Sequence, residues 1–231
     1  MTPSDRQGPA PPSGKDGSAP TRVLVVDDHA LVRASICRIL GTEKQIEVVG
    51  QTDTGGEAVT LCNKLNPDLV ILDYKLPDMD GLDTVKKIAE MKPGPKILVL
   101  TMYENEEYAI RLIRAGASGF IVKGESAEEL LLAIQKVMSG KTYISRSILD
   151  KIAFYLGNSG KEDPESALSN REFQVLVQLA RGATSREIAE NLHLSLSTVD
   201  THRSRILSKL NLRNNSDITR FAIRRGLVDL D

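Results

Sequence analysis

Apolar and polar positions alternate in blocks along the first part of the chain. Apolar, strand-like runs stand at 23–26 (VLVV), 46–50 (IEVVG), 69–72 (LVIL), 96–100 (KILVL) and 119–122 (GFIV). Continuous apolar runs of this length read as strands buried on both faces. Between and after them, apolar residues recur at helical spacing near 29–40, 55–65, 81–91, 105–115 and 126–138. Ser126 and Glu129 form a capping box for the last of these. Five strands alternating with five helices predict an α/β unit, a parallel sheet with helices on both faces. Such sheets collect ligands beyond the carboxyl ends of their strands.

The pattern changes after residue 145. Ile148, Leu149, Ile152 and Leu156 make a short amphipathic stretch, and GNSGKEDPES then reads as linker. The remainder is helical in pattern, near 170–181, 185–192, 196–210 and 215–225. Ser169 with Glu172, Thr184 with Glu187, and Ser195 supply its caps. The segment around NLHLSLS has the short turn of a helix-turn-helix. On the following helix, Val199, Ile206 and Leu210 share one face and are assigned to the core. Ser197, Thr201, Ser204, Arg205 and Ser208 lie opposite, short polar side chains with one Arg, as a major groove accepts. Arg203, Lys209, Arg213, Arg224 and Arg225 are placed to meet phosphates, although each alone is most simply a solvated charge. Residues 1–20 carry too few bulky apolar side chains to order themselves. The expected organisation is a disordered tail (1–20), an α/β domain (21–145), a linker with a short helix (146–164) and an all-α helix-turn-helix domain (165–231).

Composition adds little and excludes some classes. The chain is 41% hydrophobic and 26% charged, values of an ordinary globular protein. No apolar run approaches about 18 residues, so no membrane span is expected. The two cysteines, Cys37 and Cys62, have no metal-ligand spacing and read as buried small hydrophobes in a reducing cytoplasm. His193 and His202 also lack such spacing. Residues 21–145 hold 15 Lys/Arg and 18 Asp/Glu, a net of −3, whereas 165–231 hold 10 and 8, a net of +2. The two halves are thus expected to meet different partners.

The chemistry sits at the strand ends. Asp27 and Asp28 follow the first strand, Asp73 ends the third, Thr101 ends the fourth and Lys123 follows the fifth. In a parallel sheet these side chains converge on one edge. Burying adjacent carboxylates costs several kcal/mol each unless a cation accompanies them. Mg2+ fits, because it accepts a few carboxylates and keeps several waters. The set suits phosphoryl transfer to a carboxylate. Asp73 is the candidate nucleophile, Lys123 and the ion would neutralise charge, and the Thr101 hydroxyl can donate to a phosphoryl oxygen. An Asp at a strand end is most often only a helix cap; five such residues in this order are not explained that way.

Residues 21–140 resemble the receiver domain of two-component response regulators, with DD, LDYKLPDMDG, T and K in the expected places. The resemblance implies a flavodoxin-like, doubly wound, five-stranded parallel sheet of order 2-1-3-4-5. It implies that Asp73 accepts phosphate from a sensor histidine kinase. Asp28 and Asp73 would bind Mg2+ directly, Asp27 through water, and the Lys75 backbone carbonyl would complete the set. Phe120 matches the aromatic residue that swings inward as Thr101 moves toward the phosphoryl group; plain core packing is the alternative. Two departures stand out: Gly124 where Pro commonly follows the Lys, and bulky Met102 after the Thr. Met102 and Lys75 are expected to flank the phosphoryl group and slow attack by water.

Residues 165–228 resemble the DNA-binding domain of the LuxR/FixJ/NarL group through LSNRE, REIA, LSLSTVDTHR and KL. Asp200, Thr201 and Ser204 fall where family members reach base edges. Ser197, Thr198, Arg203, Arg205 and Lys209 complete the expected DNA-contacting set. The position of Asp200 is commonly Lys; an Asp repels phosphate but can accept from a cytosine amino group. The whole resemblance implies a cytoplasmic transcriptional regulator that binds double-stranded DNA as a homodimer and acts with RNA polymerase. It would be no enzyme beyond promoting its own phosphorylation and slow dephosphorylation. A haloacid-dehalogenase-type hydrolase is disfavoured, because its second acid would stand where Lys75 does. A pseudo-receiver is disfavoured by the complete pocket, and a ligand-sensing regulator would need a cavity in its place.

Overall fold

A computed structural model describes residues 19–102, 105–157 and 164–228. The first unit runs β1 (Thr21–Val26), α1 (Ala30–Leu40), β2 (Ile46–Thr52), α2 (Gly55–Leu65), β3 (Leu69–Asp73), α3 (Gly81–Ala89), β4 (Lys96–Thr101), α4 (Glu106–Arg114), β5 (Gly119–Val122), α5 (Ala127–Met138) and β6 (Tyr143–Ile144). All described pairings are parallel, in the order β2-β1-β3-β4-β5-β6.

The alternation of side chains along the strands divides the core into two layers. Val23, Val25, Leu69, Ile71, Leu98, Leu100 and Ile121 face α1 and α5, through Ile36, Leu40, Leu130, Ile134 and Val137. Leu24, Val26, Val70, Leu72, Ile97, Val99 and Phe120 face α2, α3 and α4. Both faces of β3 and β5 and most of β1 and β4 are covered, which is why these strands read as apolar runs, whereas the edge strand β2 carries exposed Glu47.

The expectation of five strands is corrected to six. Tyr143 and Ile144 add a parallel edge strand against Gly119 and Phe120. The Val122 N–H donates to Ser145 Oγ at 3.0 Å, and the Ser145 N–H donates to the Phe120 carbonyl at 3.0 Å. Two residues are too few for a period to show in sequence.

The second unit contains α7 (Asn170–Ala180), α8 (Ser185–Asn191), α9 (Leu196–Lys209) and α10 (Asn215–Arg224). Before it come α6 (Arg146–Gly157) and a single 3-10 turn, Pro164–Ala167. Reciprocal capping boxes start α7 at Ser169 and α8 at Thr184. The predicted tail lies, up to residue 18, outside the described residues, as do linker residues 158–163. Among the described residues no helix is long and apolar enough to cross a membrane.

The two units are docked, which their separate patterns did not announce. One apolar cluster runs from the sheet through Tyr108 and Leu112 of α4 into Phe173 and Leu176 of α7. Tyr108 meets Tyr74 edge-on at 4.9 Å and Phe173 edge-on at 5.1 Å between ring centroids. Tyr74 is the residue directly after Asp73.

Candidate functional site

The pairing register sets the edge of the sheet. Val26 lies beside Leu72, Asp73 beside Leu100, and Thr101 beside Val122. The next residues therefore emerge level with one another: Asp27 after β1, Asp73 closing β3, Thr101 closing β4 and Lys123 after β5. Asp27, Asp73 and Thr101 are buried.

Lys123 organises the pocket. Its ammonium lies 2.8 Å from Asp27 Oδ2 and 2.7 Å from Asp73 Oδ2. Desolvation alone would lower its pKa, but the two carboxylates outweigh that and hold it above the ordinary lysine value. Burial pushes the Asp73 carboxyl above the usual carboxylate range, and the Asp27 charge adds to the rise while Lys123 opposes it. The Lys75 N–H reaches Asp73 Oδ1 at 3.3 Å, and the Lys123 N–H donates to the Thr101 carbonyl at 2.6 Å. Removal of this cation leaves two buried carboxylates facing each other. Lys123→Ala is expected to cost about 3–5 kcal/mol of stability in chelator, with partial recovery on adding Mg2+, read by chemical denaturation.

A divalent ion fits this donor set. Asp27, Asp28 and Asp73 bring three carboxylates against the one ammonium of Lys123, leaving two negative charges in a largely buried space. Asp28 Oδ1 is buried beside His29 Nδ1, at 2.6 Å. Asp27, Asp28, His29 and Asp73 each place a donor atom within 4.8 Å of the others. Sequence reasoning left His29 out, because a single His after an acidic pair carries no spacing signal.

The remaining pocket residues divide. Phe120 is fully buried in the core layer beneath α4. Met102 is 71% exposed and Lys75 is exposed. Gly124 adopts φ +99°, a backbone that proline cannot take, which accounts for the departure at that position.

The helix-turn-helix leaves its candidate reading face uncovered. Ser197, Asp200, Thr201, Ser204, Arg205 and Ser208 of α9 are exposed in the docked chain, whereas Val199, Ile206 and Leu210 are buried. Ser195 caps α9 by accepting from the Thr198 N–H at 3.1 Å, and the Thr198 hydroxyl lies 2.7 Å from Ser195 Oγ. Thr201 and Ser204 return their hydroxyls to the carbonyls of Ser197 and Asp200. Asp200 Oδ1 accepts from Ser185 Oγ of α8 at 3.1 Å, tying the two helices of the motif together. Two candidate phosphate contacts are engaged within the protein: Lys209 with Glu172 at 2.7 Å, and Arg203 with Asn215 at 2.6 Å. Arg213 and Arg225 likewise pair with Asp217 and Glu165, at 3.3 and 3.4 Å. Burial lowers the pKa of His202 on the inner side of α9.

Helix α4 grips the helical unit away from the exposed side of α9. Arg111 is its centre, 6% exposed. Its Nε lies 2.6 Å from Glu107, and its terminal nitrogens donate to Asn170 Oδ1 and to the carbonyls of Glu165 and Leu168 at 2.9–3.0 Å. Its guanidinium also stacks 4.4 Å from the Phe173 ring centre. Asn105 donates to the Arg225 carbonyl at 2.8 Å, and the Tyr108 hydroxyl donates to the Leu227 carbonyl at 3.1 Å. From α3, Asp83 pairs with Arg171 at 3.0 Å. Burial also raises the pKa of Asp80, which Gln174 of α7 opposes by a hydrogen bond.

Residues 23–135 match the family model "Response regulator receiver domain", and residues 166–222 match "Bacterial regulatory proteins, luxR family". Together they define a class, a receiver joined to a helix-turn-helix. The chain is 38% identical to Response regulator GacA of Pseudomonas aeruginosa over 209 residues, covering 90% of this chain and 98% of that protein. It is 39% identical to Response regulator UvrY of Escherichia coli over 210 residues, covering 90% and 96%. It also resembles the solved structure of RcsB from Salmonella enterica serovar Typhimurium bound to promoter P1flhDC with phosphomimetic BeF3-. That match has 25% identity and a TM-score of 0.71, covering 87% of this chain and 97% of that one. The chain belongs to the NarL/FixJ family of two-component response regulators, DNA-binding transcription regulators with a LuxR-type helix-turn-helix.

Proposed function

We propose that Asp73 is the phosphoacceptor of this regulator and that a sensor histidine kinase supplies the phosphoryl group. The observation that carries the reading is the contact of the Asp73 carboxylate with Lys123 at the edge where Asp27 and Asp28 also gather. Asp27, Asp28, Asp73 and the Lys75 carbonyl would hold Mg2+, which when bound neutralises charge on the transferring group. Asp73 attacks phosphorus and forms an acyl phosphate while the bond to the donor breaks. Lys123 then pairs with a phosphoryl oxygen, and the Thr101 hydroxyl donates to another.

The output follows from chain connectivity. Thr101 stands four residues before Asn105, the first residue of the α4 grip. A pull on Thr101 toward the phosphoryl group shifts the root of α4 and weakens its hold on α7 and the Arg225–Leu227 segment. Phe120, packed beneath α4, adjusts with it. Because the reading face of α9 is already open, phosphorylation acts by releasing the helical unit to pair with a second copy on double-stranded DNA. RNA polymerase is the partner downstream. Mg2+ with acetyl phosphate is expected to convert wild type to a dimer on a sizing column and to leave Asp73→Asn unchanged. A wild type that stays monomeric, or an Asp73→Asn variant that dimerises equally, contradicts this reading.

Ser197, Asp200, Thr201, Ser204 and Arg205 would meet base edges, with Thr198, Arg203 and Lys209 toward the backbone. Asp200 carries a negative charge into that surface. Asp200→Lys is expected to strengthen non-specific binding and to steepen the slope of log affinity against log salt by about one unit. An unchanged slope removes Asp200 from the interface.

A further inference from the structure

The start of α2 is held by a residue from another part of the chain. Thr54 occupies its N-cap position, yet the Thr54 side chain makes no capping hydrogen bond. The Asp78 carboxylate takes that role: Oδ1 accepts from the Gly55 N–H and Oδ2 from the Gly56 N–H, each at 2.8 Å. A carboxylate on two N–H groups at a helix start is a charge-assisted contact that the helix dipole favours. Asp78 belongs to the β3–α3 loop, residues 74–80. Glycine lets that loop lie on the helix, because a Cβ at Gly55 would stand 2.6 Å from Thr84 Oγ1 and 3.1 Å from Met79 Cβ. The foot of the loop is closed as well. A Cβ at Gly81 would stand 2.3 Å from the Tyr74 carbonyl oxygen, and Asp80 caps α3 by accepting from the Leu82 N–H at 2.8 Å.

A helix cap is the plain reading of Asp78, but Thr54 already carries a hydroxyl suited to that task. What the distant cap adds is a connection. The segment that it clasps also holds Asp27, since the Thr52 carbonyl accepts from the Asp27 N–H at 3.1 Å. At the other end of the loop the Lys75 N–H lies 3.3 Å from Asp73 Oδ1. A circuit therefore runs from Asp27 through Thr52 and Gly55 to Asp78, then back along the loop through Lys75 to Asp73. Both of its ends are carboxylates of the pocket.

We propose that Asp78 is a positioning residue for the divalent ion: by clasping the start of α2 it fixes the loop that carries the Lys75 carbonyl. The inference rests on the acidic pocket being a Mg2+ site with Lys75 among its ligands, and adds the residue that sets how firmly that ligand is held. Groups that orient metal ligands from behind contribute about ten- to a hundredfold to affinity.

The test uses the full chain and Mg2+ alone, by calorimetric titration. Asp78→Ala is expected to bind Mg2+ about tenfold more weakly than wild type. Asp78→Asn keeps one acceptor oxygen and is expected to fall between the two. Cys62→Ala provides the contrast. Cys62 is buried about two turns further along α2, so its truncation loosens the helix without touching the clasp, and Mg2+ affinity should hold at the wild-type value. Amide exchange at Gly55, Gly56 and Lys75 is expected to quicken in Asp78→Ala, with Val70 and Ile71 unchanged. Wild-type Mg2+ affinity in either Asp78 variant overturns the proposal, as does an equal loss in Cys62→Ala or unaltered exchange at Lys75. Failure of wild type to bind Mg2+, or undiminished binding in Asp28→Asn, instead overturns the reading of the pocket beneath it.

Discussion

Arg111→Ala is expected to undock the two units, at a cost of about 3–5 kcal/mol to their association. The side chain is buried, pairs with buried Glu107, and donates to Asn170 and two backbone carbonyls across the interface. Truncation leaves Glu107 without its cation and the Glu165 and Leu168 carbonyls without that donor. Those groups regain water if the units part, so separation relieves the penalty and the α/β core need not unfold. The expected signs are a larger radius of gyration in X-ray scattering and faster amide exchange in α7, with exchange in β1 and β3 unchanged. Arg186 provides the contrast. It is 83% exposed and forms a loose i,i+4 pair with Glu190 at 3.6 Å, and solvent screens such pairs. Arg186→Ala should leave both readouts at the wild-type value. An Arg111→Ala chain as compact as wild type would remove α4 from its role as the grip.

Asp73→Asn is expected to make the protein more stable than wild type at neutral pH in chelator. The Asp73 carboxyl is raised above its ordinary pKa, chiefly by burial, with Asp27 adding and Lys123 opposing. A carboxyl raised in the folded state favours folding below its unfolded pKa, near about 4. It loses that contribution as pH rises through the folded value. At pH 7 the ionised side chain is therefore a burden that asparagine removes, and the advantage should shrink as pH falls toward 4. Saturating Mg2+ should then reverse the order. An ion at about 100 times its dissociation constant adds about 2.7 kcal/mol to the state that binds it, and Asp73→Asn forfeits a ligand. Thermal melts at pH 7 and pH 4, with and without Mg2+, give all four values. A variant less stable than wild type in chelator at pH 7 would mean that the Lys123 contact outweighs burial.

The sheet was legible because both of its faces are covered. Runs such as VLVV at 23–26 are fully buried, and no polar alternation interrupts them. The pocket was legible for a related reason: parallel strands must release their next residues along one edge, so Asp27, Asp73 and Lys123 had to approach. The caps at Ser169 and Thr184 were legible because their partners lie three residues away. Docking was not. Asn105, Tyr108 and Arg111 bind carbonyls 54 to 120 residues distant, and a carbonyl has no residue identity to read. The same blindness affected the basic residues of the helical unit. Lys209 and Arg225 suggested phosphate contacts, but whether Glu172 and Glu165 stood near them was a question of folding, not of spacing. β6 was too short to carry a pattern.

Phosphate is expected to enter at Asp73, and only with a divalent ion present. The direct measurement is incubation of the full chain with radiolabelled acetyl phosphate, with Mg2+ or with chelator, followed by borohydride trapping of the acyl phosphate and peptide mapping. Mg2+-dependent label confined to the peptide that holds Asp73 is expected. Label elsewhere, equal label in chelator, or no label would contradict it.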